Sequence, residues 1–180
     1  MEKTLSRVLL GLAGTAALAV GLAAQTPLKI GVLDSQRVLE TSAEGKRAIA
    51  QLEARNKQLQ AEVTKLNDQI KSLEGRLSTQ RLTLTQEAAQ AISADLVRKQ
   101  TEQKRLSEDA SRELQELQFK LLNKIQSELI PLIEAVGKEK DLEIIFDLAK
   151  SGAVYFKPTV DLTDEVIRRY DASKAAPPAK

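Results

Sequence analysis

Carboxylates, amines, guanidiniums and hydroxyls are the only side chains in this sequence that could do chemistry. The 180 residues include no Cys and no His, which excludes thiol nucleophiles, disulfides, Cys/His zinc sites and histidine-based triads. The 25 acidic and 27 basic residues are interleaved. Glu53 and Lys57, four apart, are typical, and this spacing describes a solvated, ion-paired helix face. Ser and Lys could in principle form a hydrolytic dyad, yet no nucleophile has a recognisable base or oxyanion motif beside it. The eight glycines are scattered rather than gathered into a phosphate-cradling loop, so ATP-driven work is not expected. The chain is therefore predicted to be no enzyme, and to use neither cofactor nor metal.

The elements that carry these side chains are mostly helical. Aromatics make up only 3% of residues, too few for a compact aromatic core, and Ala, Leu, Gln, Glu, Lys and Arg dominate as in long helices. Lys3 and Arg7 precede an apolar run from Val8 to Ala24, which reads as a secretory signal peptide over residues 1–23, cleaved after Ala23 or Ala24. A retained membrane anchor is the alternative. With no Cys at the junction, a lipoprotein anchor is excluded. An exported protein without Cys is unremarkable in a bacterial periplasm, where disulfides are optional. The net charge of +2 is too balanced for a nucleic-acid binder, and no basic region precedes the leucine repeat as a zipper-type DNA reader requires.

Residues 28–34 read as a strand. Residues 42–137 read as a helical-hairpin arm. Its first limb carries a seam of Ile49, Leu52, Asn56, Leu59, Val63, Leu66, Ile70, Leu73 and Leu77, stepping by three and four, which demands a partner helix. Asn56 either fixes the register of that seam or lies solvated at its edge. The second limb runs through Leu106, Ala110, Leu114, Leu117, Leu121, Ile125, Leu129, Leu132 and Val136, mostly in steps of four. The β-branched and capping residues around Ser78–Gln86 break the seam, so the tip is expected near 78–90, with limbs of about 45 residues reaching about 65 Å. Thr41 and Glu44 have capping-box spacing, and Gly137 is expected to end the second limb.

Residues 142–148 and 153–157 read as two further strands, joined by Lys150, Ser151 and Gly152. Thr163 is expected to cap a final helix, and residues 172–180 to form a disordered tail. The fold class is thus α+β and mainly α: a three-stranded β base from residues 24–41 and 138–171, a long antiparallel arm, and a short C-terminal helix. So small a sheet usually needs a partner chain, and Ile30, Val32, Ile144 and Phe146 are the expected body and subunit contacts.

Two stretches carry a family likeness. One is Lys29-Ile30-Gly31-Val32-Leu33-Asp34-Ser35-Gln36-Arg37-Val38-Leu39, followed by Glu44-Gly45-Lys46. The other is Ala153-Val154-Tyr155-Phe156-Lys157-Pro158, followed by Asp161-Leu162-Thr163-Asp164-Glu165-Val166-Ile167. In these the chain resembles the OmpH/Skp periplasmic chaperones, over about residues 28–171. The resemblance implies a homotrimer whose β body is assembled from three chains and whose helical arms enclose a cavity. It implies an ATP-independent holdase that keeps unfolded outer-membrane proteins from aggregating. Well-known members are strongly basic, whereas this chain is nearly neutral, and no counterpart of a lipopolysaccharide-binding cluster is evident.

Under that reading Leu73, Leu77, Leu82, Leu84, Ile92, Leu96 and Val97 are the candidate client contacts. Leu73 and Leu77 continue the seam and are read first as hairpin packing. Residues 71–105 hold the basic Lys71, Arg76, Arg81, Arg98, Lys99, Lys104 and Arg105 against four acidic residues. This distal face could attract acidic partners or anionic lipid headgroups weakly, with ordinary surface variation as the alternative. From a different class, a structural coiled-coil spacer or membrane-tethered scaffold of the envelope remains the competing function.

Overall fold

In the computed structural model, which describes residues 28–175, the chain leaves its first strand through a carboxylate cap. Strand β1 spans Ile30–Leu33. Asp34 then sits in extended backbone and its carboxylate accepts the Arg37 N–H at 2.9 Å, starting helix α1, Ser35–Thr41. The signal-peptide segment 1–23 and residues 176–180 lie outside the described residues.

Helix α2, Ala43–Thr79, is capped one residue later than the sequence pattern indicates. Ser42, fully buried, accepts the Gly45 N–H at 3.1 Å, while Thr41 is the last residue of α1. Gly45 makes the tight corner possible: a Cβ there would lie 1.9 Å from the Leu39 carbonyl oxygen.

The two limbs of the arm are α2, 37 residues, and α3, Gln86–Glu139, 54 residues. At 1.5 Å per residue they are about 55 and 80 Å long. The turn between them falls at residues 80–85, inside the expected tip region. There the Gln80 carbonyl accepts the Thr83 and Leu84 N–H groups, and Thr85 caps α3 through the Ala88 N–H. Glu44 pairs with Lys124 at 2.6 Å and Arg55 with Glu113 at 2.8 Å. An advance outward along α2 is thus matched by an equal retreat along α3, so the limbs run antiparallel. Every seam residue of α2 is at least half-buried, and Leu59 and Leu66 are fully so. Asn56 is half-buried on a groove it shares with Ser111 and Leu114.

The base differs from expectation in its strand count. Strand β2, Ile144–Asp147, pairs with β1 in parallel, Ile30 beside Ile144 and Val32 beside Phe146. Parallel strands need a long crossover, and the whole arm is that crossover. The third position is held only by a bridge between Val32 and Asp161, with the Leu162 N–H donating to the Val32 carbonyl at 2.9 Å. Residues 153–157 form no strand. The expected turn is instead one helical turn, α4, Leu148–Ser151, nucleated by Asp147, whose carboxylate accepts the Ala149 N–H. Gly152 at φ 67° then turns the chain away from the β2 edge.

Two caps also move. Gly137 lies inside α3, buried, with Ile145 Cδ1 3.4 Å from where a Cβ would be. It admits the close approach of β2, and the helix ends two residues later. Asp141 takes the left-handed conformation at φ 52°, and the Leu142 N–H closes back on the Gly137 carbonyl at 2.9 Å, as in a Schellman turn. The Thr163 hydroxyl does not cap α5, Thr163–Ala175. It accepts the Asp34 N–H at 3.0 Å and donates to Asp161, tying the C-terminal helix to the end of β1. Residues 172–175, placed in the tail by sequence, belong to α5.

The core lies where the roots of α2 and α3 meet α1 and α5. Val38, Val136, Val166 and Tyr170 are essentially inaccessible, with Leu33, Ile125, Leu129 and Leu162 around them. Burying each such aliphatic side chain stabilises the fold by roughly 1.5–3 kcal/mol. Gly45→Ala is expected to destabilise by about 1–3 kcal/mol, because the added methyl meets backbone. Gly75→Ala, on α2 with nothing within 4 Å, should stabilise by about 0.5–1 kcal/mol. Urea unfolding of both variants at one protein concentration checks the pair; equal effects would remove the corner argument.

Candidate functional site

The arm offers surface rather than a cleft. Its depressions are open grooves, one between Gln51, Arg55, Glu113 and Lys120, another along Arg98, Glu102 and Arg105. Among the described residues no group of three or more acidic side chains converges as metal ligands would.

The structure separates the seven candidate contacts into three kinds. Leu82 at the tip is 98% exposed and Val97 62%. Leu73, Leu77, Leu84 and Leu96 are half-buried. Ile92 is buried, at 8% exposure; in the register set by the two interhelical ion pairs it falls opposite the α2 residues near 76. Ile92 is therefore unavailable to a ligand unless the limbs part.

Of the distal basic residues, Lys71, Arg76, Arg81, Lys104 and Arg105 are exposed. Arg98 pairs with Asp95 on its own helix, and Lys99 with Glu102 at 2.9 Å.

At the base, the parallel register sets Ile30, Val32, Ile144 and Phe146 on one face of the sheet. Val32 is buried within the chain, whereas Ile144 and Phe146 are about two-fifths exposed and lie on the strand whose outer edge has no partner among the described residues. Beyond them Val154 and Tyr155 stand in solvent. Sequence reasoning missed a further apolar set, Phe119, Leu122 and Ile130 on α3, all exposed. The signal was present: these three fall between the seam positions Leu117, Leu121, Ile125, Leu129 and Leu132 rather than on them.

The arm is held at its root by a polar clamp from α5. Tyr170, inaccessible to solvent, donates its hydroxyl proton to Glu128 at 2.6 Å, and Lys174 pairs with the same carboxylate at 2.7 Å. Asp171 accepts the Ala43 N–H at the start of α2 at 2.9 Å, so one helix grips both limbs. Burial works to raise the pKa of Glu128, but hydrogen bonds from Lys174 and Tyr170 outweigh it and the net shift is downward. Burial, reinforced by the bond to Glu128, pushes the Tyr170 phenol up. The Lys124 ammonium bonded to Glu44 holds that carboxyl below its usual range.

A long, seam-packed helical hairpin on a small parallel α/β base, gripped by a C-terminal helix, defines the class of molecule. The model of the family described as Outer membrane protein (OmpH-like) matches residues 29–170, and the chain belongs to that family. Its fold is similar to the crystal structure, at 2.83 Å, of an OmpH-like candidate outer membrane chaperone from Caulobacter crescentus CB15. The TM-score is 0.72 at 23% sequence identity, over 82% of this chain and 86% of that one. No curated protein matches this sequence.

Carboxylates whose folded pKa is lowered stabilise the native state fully above the ordinary carboxylate range, and that contribution is lost as pH falls through the lowered values. Glu44, Glu128 and Asp161 all behave this way, so the clamp weakens below about pH 4. Tyr170→Phe is expected to cost about 1.5–3 kcal/mol at pH 7, the worth of a hydrogen bond to a charged group. The deficit should shrink below about pH 4 as Glu128 protonates. Urea unfolding of both proteins across pH checks this; a deficit that does not change with pH would disconnect Tyr170 from the Glu128 charge.

Proposed function

We propose that this protein is an ATP-independent periplasmic holdase for unfolded outer-membrane proteins, working as a homotrimer whose arms surround the client. The observation that carries the reading is an arm tens of ångströms long, without an enclosed site, that displays large apolar side chains such as Leu82 and Val97 to solvent. An unfolded barrel protein exposes alternating apolar side chains and unpaired strand edges. Weak contacts at many points hold such a chain while leaving it mobile, and avidity across several arms supplies the affinity.

Subunit association through the base follows from the same reading. Among the described residues strand β2 has an unpaired outer edge and an apolar face at Ile144 and Phe146, while Ala153, Val154 and Tyr155 stand exposed, Phe156 is half-buried, and residues 153–157 have no partner strand. Each chain thus carries both an open edge and a segment with strand-forming residues to cover a neighbour's edge. The exposed Lys71, Arg76 and Arg81 support weak contact with anionic lipid headgroups, at roughly 1 kcal/mol per basic residue near such a surface.

Light scattering of a denatured outer-membrane barrel protein on dilution, with and without this chain, tests the holdase. Suppression of aggregation near stoichiometric ratios is expected; none at any ratio would favour the envelope-spacer alternative. Phe146→Asp, which sets a charge on the exposed strand face, is expected to reduce the assembly to monomers by multi-angle light scattering. An unchanged mass would place the subunit contact elsewhere.

A further inference from the structure

Between Glu116 and Glu134 the outward face of α3 bears no charge. Phe119, Leu122 and Ile130 are 69%, 40% and 46% exposed, and Asn123 and Gln126 lie exposed between them. At 100° per residue these five positions fall within about 60° of Phe119 on the helix circumference. The charged residues of the same stretch point elsewhere. Lys124 is held by Glu44 on α2, Glu128 by Lys174 and Tyr170 on α5, and Lys120 lines the groove that contains Arg55 and Glu113. The charges thus lie at least about 100° from Phe119 around the helix and leave an apolar and amide stripe there. Nothing among the described residues covers it.

We infer that this stripe, at the root of the arm rather than its tip, is the main grip on the client, and that it takes an uncharged, extended segment such as the apolar band of an outer-membrane strand. The inference rests on the holdase reading and places its principal contact. A second helix is a poorer occupant, because helix partners are selected by charges flanking the apolar line, and here Lys124 and Glu128 are engaged within the chain. An outer-membrane strand has the matching character: apolar on one face, uncharged along its lipid-facing band, with backbone N–H and C=O groups unpaired. Asn123 and Gln126 can both donate to and accept from those groups. The distance from Phe119 to Ile130 is about 16 Å along the helix, the length of about five extended residues. The absence of register-fixing charge makes the grip tolerant of sequence, as a protein with many clients requires.

The test compares wild type with the triple variant Phe119→Ala, Leu122→Ala, Ile130→Ala, in which alanine favours the helix, and with Leu82→Ala at the tip. The readouts are suppression of barrel-protein aggregation, helicity and assembly mass. The triple variant is expected to need at least about tenfold more protein for half-suppression, at unchanged helicity and mass, while Leu82→Ala stays within about twofold. A triple variant that suppresses as wild type does overturns the inference alone; wild type that fails to suppress removes the holdase reading beneath it. Suppression lost together with assembly mass makes the stripe a subunit contact and overturns the inference. As a check independent of variant folding, a benzophenone side chain at Gln126 should crosslink the bound client. Capture of only a second copy of this chain overturns the inference.

Discussion

A lever is governed by what holds its end, and here the hold is the packing of α5 across the roots of both limbs. The α2–α3 seam is narrow, so it keeps the two antiparallel helices side by side but says nothing about their direction relative to the base. Direction comes from Tyr170 and Val166 filling the space between Val38, Ile125, Leu129 and Val136. It is reinforced by two polar contacts from the same turn of α5, Tyr170 to Glu128 on α3 and Asp171 to the start of α2. A buried phenol left unpaired would cost about 1–3 kcal/mol, so these atoms specify one orientation as well as stabilising it. The Thr163 tie to Asp34 and Asp161 fixes where α5 begins. That sets where Tyr170, two turns on, must land.

The narrowness of the seam has a consequence for the surface. A helix in a globular core gives up a wide stripe to burial, whereas α2 and α3 give up only a line and keep most of their circumference in water. The protein can therefore combine long reach with little interior, and any apolar residue off the seam is exposed by default. Phe119, Leu122 and Val97 are such residues. Their neighbours are often ion pairs within one helix, such as Arg98 with Asp95. Exposed pairs of this kind contribute little to stability but keep the arm soluble despite its apolar points.

The arm was readable in the sequence because its information is periodic: an apolar residue every three or four positions over thirty residues admits one interpretation. The tip was readable because Ser78, Thr79, Thr83 and Thr85 are poor helix interiors and good caps. The base was less readable because its decisions hang on single contacts between distant residues. Gly137 has the composition of a helix stop, but its missing side chain is used to admit Ile145. Thr163 has the composition of an N-cap, but its hydroxyl goes to Asp34, 129 residues earlier. The N-cap lies one residue later than the Thr41–Glu44 spacing indicates because Ser42 and Thr41 are chemically equivalent and only the close approach of Gly45 to Leu39 chooses between them. Among the candidate contacts, local hydropathy marked Leu82, Val97 and Ile92 alike and could not separate the two exposed side chains from the buried one. Exposure on a hairpin depends on the angle around each helix, which a tip of uncertain length leaves undefined.

The missing third strand follows from the same limit and bears on assembly. Residues 153–157 have strand composition, yet after the helical turn capped by Asp147 and the left-handed Gly152 they do not pair with the outer edge of β2. Strand propensity describes how a segment fits a half-buried pleated surface, and such a surface can belong to another molecule. An open edge and a strand-forming segment on the same chain are different surfaces, so joining one chain's segment to the next chain's edge is a head-to-tail contact. Contacts of that type either close into a ring or continue as a fibre. In a ring every β2 edge is covered and none remains to recruit further copies. Closure also fixes the position of each arm's root relative to its neighbours, because α5 binds both limbs to the same base. A protein that holds aggregating strands, as proposed for this one, would thus have a physical reason to keep its own sheet edges inside a closed ring.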